Sequence, residues 1–300
     1  MRLLSAAAPL LLGFVAGFLP SLIEPATGTA APARPAASEE DPPPTWERLQ
    51  RQSALYRRAV LRFTCNESLF EEEVEPRTGA PRATRQFTYR YLLEAGPDRP
   101  TVTEYREIVT RGGIPVRSSP VTVQTFVPPP YLWATLFDER NASLFRYKVL
   151  GTEKRGVTDT VLVAFEGLLA HEDGARLAEW SGRIWIDRDR LTPVHLEAAP
   201  ARQEETLAVQ LEQYRRAFRL GGLRLKARPR AYTLTVDFLV SRFGLTFPSQ
   251  SVWRRQILEV DGNRHTERMM RRRFEDYRFT NVRVEEILGE VVDEDPDAGF

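Results

Sequence analysis

The chain is predicted to be mainly β, a β-rich α+β protein: one curved antiparallel sheet or a barrel-like sheet, with an N-terminal helix and a short apolar helix. Three observations predict this. Apolar and polar residues alternate with a period of two through most of the chain after residue 61. Turn formers such as Gly79, Gly112-Gly113 and Asp261-Gly262 punctuate the alternating stretches. Residues 181–200 read as strand, tight turn, strand, because Ile184-Trp185-Ile186 and Leu191 to Glu197 flank the polar Asp187-Arg188-Asp189-Arg190.

The first elements are not strands. Met1 and Arg2 precede an apolar stretch, residues 3–23, and small residues follow at Gly28, Thr29, Ala30, Ala31 and Ala33. Charge, apolar core and small-residue site in that order predict a signal peptide over 1–30, with cleavage after Ala30 or Ala33. Pro9 and Pro20 weaken a spanning helix in this stretch, and no other apolar run is long enough to cross a bilayer, so no integral membrane span is expected after cleavage. Residues 31–45 are rich in Ala, Pro and acids and are expected to be a disordered linker. Thr45 then caps a predicted helix to about Leu61, with Trp46, Leu49, Ala54, Tyr56 and Val60 on its apolar side and Arg48, Arg51, Arg57 and Arg58 on the other.

Strands are predicted over 61–70, 85–93 and 102–110, the second with Phe87, Tyr89 and Tyr91 on one face. Gly96-Pro97-Asp98 turns between the last two. A short alternating segment, 121–127, ends at Pro128-Pro129-Pro130 and leads into Tyr131, Leu132, Trp133, Leu136 and Phe137, expected as a short apolar helix closing one end of the core. Strands over 144–150 and 160–168 are joined by a predicted polar turn at 151–156, and a loop over 169–179 leads to the 181–200 hairpin. Leu207, Val209 and Leu211 alternate, so 204–218 is predicted as a strand. Residues 231–240 make the clearest strand, with Tyr232, Leu234, Val236, Phe238 and Val240 on one face. Strands over 251–260 and 265–280 form a hairpin about Asp261-Gly262. A short element over 282–292 and a disordered acidic tail, 293–300, end the sequence. The total is about ten to twelve strands and two helices, in one β domain over 46–292.

Composition limits the function. In 300 residues, 42% are hydrophobic and 28% charged, which suits a soluble globular chain. A net charge of +1 argues against binding nucleic acid by bulk charge. Cys65 is the sole cysteine, so no internal disulfide forms; alternating with Phe63 and Glu67, it is expected as a buried, inert thiol. His171, His195 and His265 fit no zinc spacing, there is no GxSxG elbow, and no phosphate-cradling glycine loop is present. No catalytic residue, metal or cofactor is expected. His171-Glu172-Asp173 reads as a polar loop and Gly221-Gly222 as a plain turn. His195 and Glu197 share a strand face and are expected to be a hydrogen-bonded structural pair, with an acid/base pair as the enzymatic alternative. Arg271-Arg272-Arg273, after Met269-Met270, would be split between two faces of a strand, and is expected to guard a solvated edge. Asn66-Glu67-Ser68 and Asn141-Ala142-Ser143 match the glycosylation pattern.

The signal peptide, N-terminal helix, strand meander, short apolar helix and the SGRIWIDRDRLTPVHLE hairpin resemble secreted bacterial proteins of the outer-membrane lipoprotein-sorting (LolA/LolB-like) superfamily. Trp185-Ile186-Asp187, the returning Val194-His195-Leu196 and the later Phe247-Pro248-Ser249 carry the resemblance, which covers about residues 46–288. It implies an unclosed barrel whose helices cover the open side and an apolar cavity for acyl chains. On that reading the protein is periplasmic or secreted and non-enzymatic, and it binds a lipid or a lipoprotein. Cavity candidates are Phe87, Tyr89, Tyr91, Tyr131, Trp133, Phe137, Trp185, Tyr232 and Phe238. The alternative is an envelope protein-interaction or sensor module with a filled core and an exposed patch around residues 131–137.

Overall fold

The structure, a computed structural model, describes residues 46–59, 62–75, 78–95, 102–117, 121–122, 127–169, 176–219 and 228–279. The expectations for 1–45, Gly96-Pro97-Asp98, His171-Glu172-Asp173, Gly221-Gly222, 282–292 and 293–300 lie outside these residues.

The chain begins with α1 (Trp46–Ala59), then β1 (Arg62–Val74), β2 (Pro81–Ala95), β3 (Val102–Arg111), β4 (Ile114–Pro115) and β5 (Val121–Thr122). A 3-10 helix, Pro130–Thr135, and the single-turn α2 (Glu139–Ala142) follow. Next come β6 (Phe145–Arg155), β7 (Thr158–Gly167), a second 3-10 turn, Leu177–Glu179, β8 (Trp180–Asp187), β9 (Pro193–Pro200) and α3 (Gln203–Arg219). The last strands are β10 (Arg230–Asp237), β11 (Val240–Arg242), β12 (Leu245–Phe247), β13 (Gln250–Leu258) and β14 (Arg264–Phe279).

One sheet runs in the order β4-β3-β2-β1-β14-β13-β10-β9-β8-β7-β6, with β5 also on β3, and β11 and β12 form a separate hairpin. Every pairing is antiparallel. Among the described residues the two ends of the sheet do not pair, so the barrel is unclosed, as the resemblance implies. Most neighbours are hairpin partners. Of the exceptions, which include β9 on β10 across α3 and β10 on β13 across β11 and β12, the one that organises the molecule is β1 on β14, which pairs Phe63 with Phe279 and Glu73 with Arg268.

Period-two alternation gives this sheet an inner and an outer face. The inner face is buried under α1 and the first 3-10 helix. There Leu49, Leu55 and Tyr56 of α1 join Phe63, Leu93, Val163, Phe165, Ile184, Leu196 and Val236 in one apolar cluster. Two hydrogen bonds tie the covering elements together: Ser53 Oγ donates to the Ala134 carbonyl at 3.0 Å, and Tyr131 donates to the Tyr56 carbonyl. Arg57 of α1 reaches the buried Asp138 at 2.8 Å. The outer face carries α3, whose Leu207 packs on Ala231 and Leu258. At Gly182 β8 leaves no room for a side chain against β9, since a Cβ there would stand 2.0 Å from the Glu197 carbonyl oxygen.

Four local readings are corrected. Residues 203–219 are helix, not strand: Leu207, Leu211, Tyr214 and Phe218 recur at helical spacing, Glu204 and Glu205 sit in the first turn, and Arg216 and Arg219 in the last. Val209, which completes the alternation, faces the other way and is 59% exposed. β6 runs through Gly151 to Arg155 with a register shift between Val149 and Gly151, so the turn is at Gly156-Val157. β14 is not an edge; β1 and β13 flank it. Tyr131, Trp133, Leu136 and Phe137 are buried, so residues 131–137 offer no exposed apolar patch. Among the described residues no helix is long and apolar enough to cross a membrane.

Candidate functional site

The inner face divides into a filled part and a less covered part. In the filled part the 3-10 helix presses Trp133 into contact with Phe165 and Trp180, at ring distances of 5.8 and 6.3 Å. Tyr131 stacks on Phe247 at 6.0 Å and meets Phe63 edge-on at 5.4 Å. Phe137 packs between Trp46 and Tyr147. Phe238 and Tyr91 are likewise in the apolar cluster. A cavity of about 10 Å³ remains between Leu49, Ser53, Trp133, Ile184 and Ile186, which is about the space of one water. Five of the nine candidates, Tyr91, Tyr131, Trp133, Phe137 and Phe238, thus lie in the apolar cluster, and Trp133 and Phe137 also border this small cavity.

The less covered part lies toward the other end of β2, β1, β14, β13 and β10. Phe87 and Tyr89 of β2 stack at 5.8 Å, and Arg111 of β3 lies 5.8 Å over the Phe87 ring. Leu69 of β1 stands between Phe87 and Arg272. Trp253 of β13 is opposite Met270 of β14 and stacks with Tyr232 of β10 at 5.8 Å. Phe87, Tyr89, Met270, Trp253 and Tyr232 are each half-buried, so part of each ring or thioether meets solvent. Arg255, Arg268 and Arg272 share this face by register with Tyr232, Glu73 and Leu69.

Between the two parts lies a buried charged network. Glu67, which is fully inaccessible, takes the Nε of Arg106 and, at 3.3 Å, its Nη2. Arg272 Nε approaches the same carboxylate at 3.5 Å. Tyr91 donates to Glu104 at 2.6 Å, and the Arg106 guanidinium sits 5.0 Å over the Tyr91 ring. Burial opposes the charge on Arg106, but Glu67 and Glu104 outweigh it, so its pKa is raised. Burial, reinforced by Glu104, holds the Tyr91 phenol well above its ordinary value. The Cys65 thiol is pushed up by burial and then by Glu67, which keeps it protonated and unreactive. Arg106 and Glu104 were missed in the sequence. Their signal was there: Glu104 and Arg106 alternate on β3, as Glu67 alternates with Phe63 and Cys65 on β1.

Trp185 belongs to neither part. Ile184 and Ile186 point inward, so the residue between them points outward. There it donates to Glu153, carries Arg155 at 4.6 Å over its ring, and meets His195 edge-on at 5.1 Å. His195 Nδ1 is 2.5 Å from Asp237 Oδ1, and its Nε2 is 3.4 Å from Glu197 Oε1. His195 is 6% exposed and lies beneath two carboxylates and an indole, an arrangement that fixes a side chain rather than one that meets a substrate. Among the described residues no group of three His, Cys, Asp or Glu side chains is placed to hold a metal ion.

No protein-family model and no curated protein sequence matches the chain. Solved structures resemble it in outline. A LolA superfamily protein from Nitrosomonas europaea is 9% identical, over 79% of this chain and 94% of that one, with a TM-score of 0.35. A DUF1329 family protein from Desulfovibrio piger is 10% identical, over 78% and 93%, with a TM-score of 0.36. The Mycobacterium tuberculosis lipoprotein LppX is 8% identical, over 79% and 97%, with a TM-score of 0.26.

Proposed function

We propose that this is an exported, non-catalytic binding protein of the bacterial envelope that holds an acyl-bearing amphiphile, a lipid or a lipidated partner, on the less covered part of the inner face. One observation carries the reading: half-buried Phe87 and Tyr89 of β2 and Met270, Trp253 and Tyr232 of β14, β13 and β10 lie on one face, on either side of Leu69 and Glu71 of β1, with the ion-paired Arg255, Arg268 and Arg272 on the same face. Four inter-strand gaps make this band about 19 Å long, at ~4.8 Å per gap. That length suits an extended acyl chain, and burying it removes apolar surface from water at about 25 cal/mol per Å². The arginines suit a phosphate or carboxylate head group.

The test is native mass spectrometry of the chain from about Ala31, purified gently from a bacterial periplasm, followed by organic extraction. An added mass that extracts as lipid is expected, and Tyr89→Asp with Trp253→Asp is expected to abolish it. A bare mass that persists after incubation with phospholipid and with lipopeptide overturns the reading. A second reading, an envelope protein-interaction module, is favoured by the filled interior beneath α1, where Trp133 and Leu136 are fully buried. It predicts a bare mass together with a defined protein partner.

A further inference from the structure

We propose that the C-terminal half of α3 is a docking surface for a bilayer that contains anionic lipid. Leu207, Leu211, Tyr214 and Phe218 form one stripe along the helix. The stripe starts buried, with Leu207 3% exposed against Ala231 and Leu258. It ends outside the core, with Phe218 55% exposed. Leu211 is half-buried beside Gly262 of the β13–β14 turn, and Arg215 Nε donates to the Val260 carbonyl at 2.8 Å, which fixes the helix on the sheet's outer face.

Charge singles out the same place. In the last turns of α3, Arg215, Arg216 and Arg219 follow Glu212 with no acidic residue among them, whereas Arg228 and Arg230 beyond the helix are paired with Glu259 and Glu267. The whole chain balances 42 basic residues against 41 acidic ones, so this excess is local. Within α3 the only counter-charge in reach is Glu212, 3.1 Å from Arg216 and 3.4 Å from Arg219. These arginines are 72% and 70% exposed, and such solvated pairs are weak enough to be exchanged for lipid phosphate. An exposed phenylalanine flanked by Arg215 and Arg219 is suited to the boundary between head groups and acyl chains, with the ring below and the guanidiniums in the phosphate layer. Charge complementarity selects an anionic bilayer over an apolar protein groove. The surface is on the face opposite the proposed cargo band, so a bound membrane leaves that band free.

The test is vesicle co-sedimentation of the chain from Ala31, because the apolar stretch 3–23 would bind bilayers by itself. Vesicles of phosphatidylcholine and phosphatidylglycerol at about 70:30 are compared with pure phosphatidylcholine. The protein is expected to sediment with the anionic vesicles at low salt and to be released by about 0.5 M salt, where the Debye length is a few Å. Arg216→Ser with Arg219→Ser is expected to weaken partitioning by about fivefold per arginine. Phe218→Ser is expected to weaken it roughly tenfold, and Val209→Ser, on the opposite side of the helix, to leave it unchanged. Wild type that stays in the supernatant, binds both vesicle types equally, or is matched by the Phe218 and arginine variants overturns the proposal. Lipid extraction without docking leaves the protein in the supernatant, so failure of this surface is distinguishable from failure of the cargo band.

Discussion

Glu67 is a charge placed where alternation calls for an apolar side chain, and its cost is offset only by Arg106 and Arg272. Breaking one partner of such a buried network leaves the others desolvated and unpaired. Glu67→Gln is therefore expected to destabilise the fold by about 3–5 kcal/mol, read as a lower urea midpoint. Lys154→Gln, which breaks an exposed contact to Asp159, is expected to cost less than about 1 kcal/mol. Tyrosines give a second expectation. Burial raises the phenol pKa of Tyr56, Tyr91, Tyr131, Tyr147 and Tyr277 above the ordinary value near 10. The unfolded chain loses these protons above pH 10 while the folded chain keeps them, so this stabilisation is complete below pH 10 and is lost as pH rises beyond it. Melting temperature is expected to fall steeply between about pH 10 and 11, and Tyr277→Phe, though it gives up the hydrogen bond to Pro248, is expected to flatten that slope. At this scale the sequence was partly legible. Alternation placed Cys65 and Glu67 on the face of Phe63, and it placed Tyr89 with Phe87. Alternation counts Trp185 among the cavity candidates because a large apolar side chain marks no face by itself; the faces are set by Ile184 and Ile186 on either side.

Among the elements, β6 carries the sharpest expectation. It ends the sheet on one side, and Val149 and Leu150 are 50% and 45% exposed there. The sequence has only three lysines, and two of them, Lys148 and Lys154, stand exposed on this strand. A flexible, strongly hydrated charge on an open edge opposes pairing with another chain. Lys148→Val with Lys154→Val is expected to leave the unfolding midpoint nearly unchanged while light scattering rises on concentration. The elements were legible wherever period and length agreed, as in α1 and β10. They misled where a helix is lightly packed. α3 buries only Gln203 and Leu207, so its mostly polar sequence offered Leu207, Val209 and Leu211 as a false alternation.

For the molecule as a whole, the decisive contact joins the first long strand of the described residues to the last. β1 and β14 pair over more than ten residues, from Phe63–Phe279 to Glu73–Arg268, across almost the full described chain. Such separation makes folding slow, on the order of milliseconds to seconds. It also makes β14 indispensable: a chain ending at Asn263 is expected to lose cooperative unfolding, checked by denaturant titration followed by circular dichroism, because β1 and β13 would each lose a neighbour. This order was not legible in the sequence. Alternation assigns faces but not partners, and the run Arg271-Arg272-Arg273 read as an edge, although Glu67 on β1 meets Arg272 inside the sheet. The same seam bears on how the protein is made. While the ribosome is still synthesising β14, the middle of the sheet is missing, and β1 has only β2 beside it. Until that strand is complete the two halves of the sheet have no strand to join them, so the seam closes only after the rest of the described chain has been made.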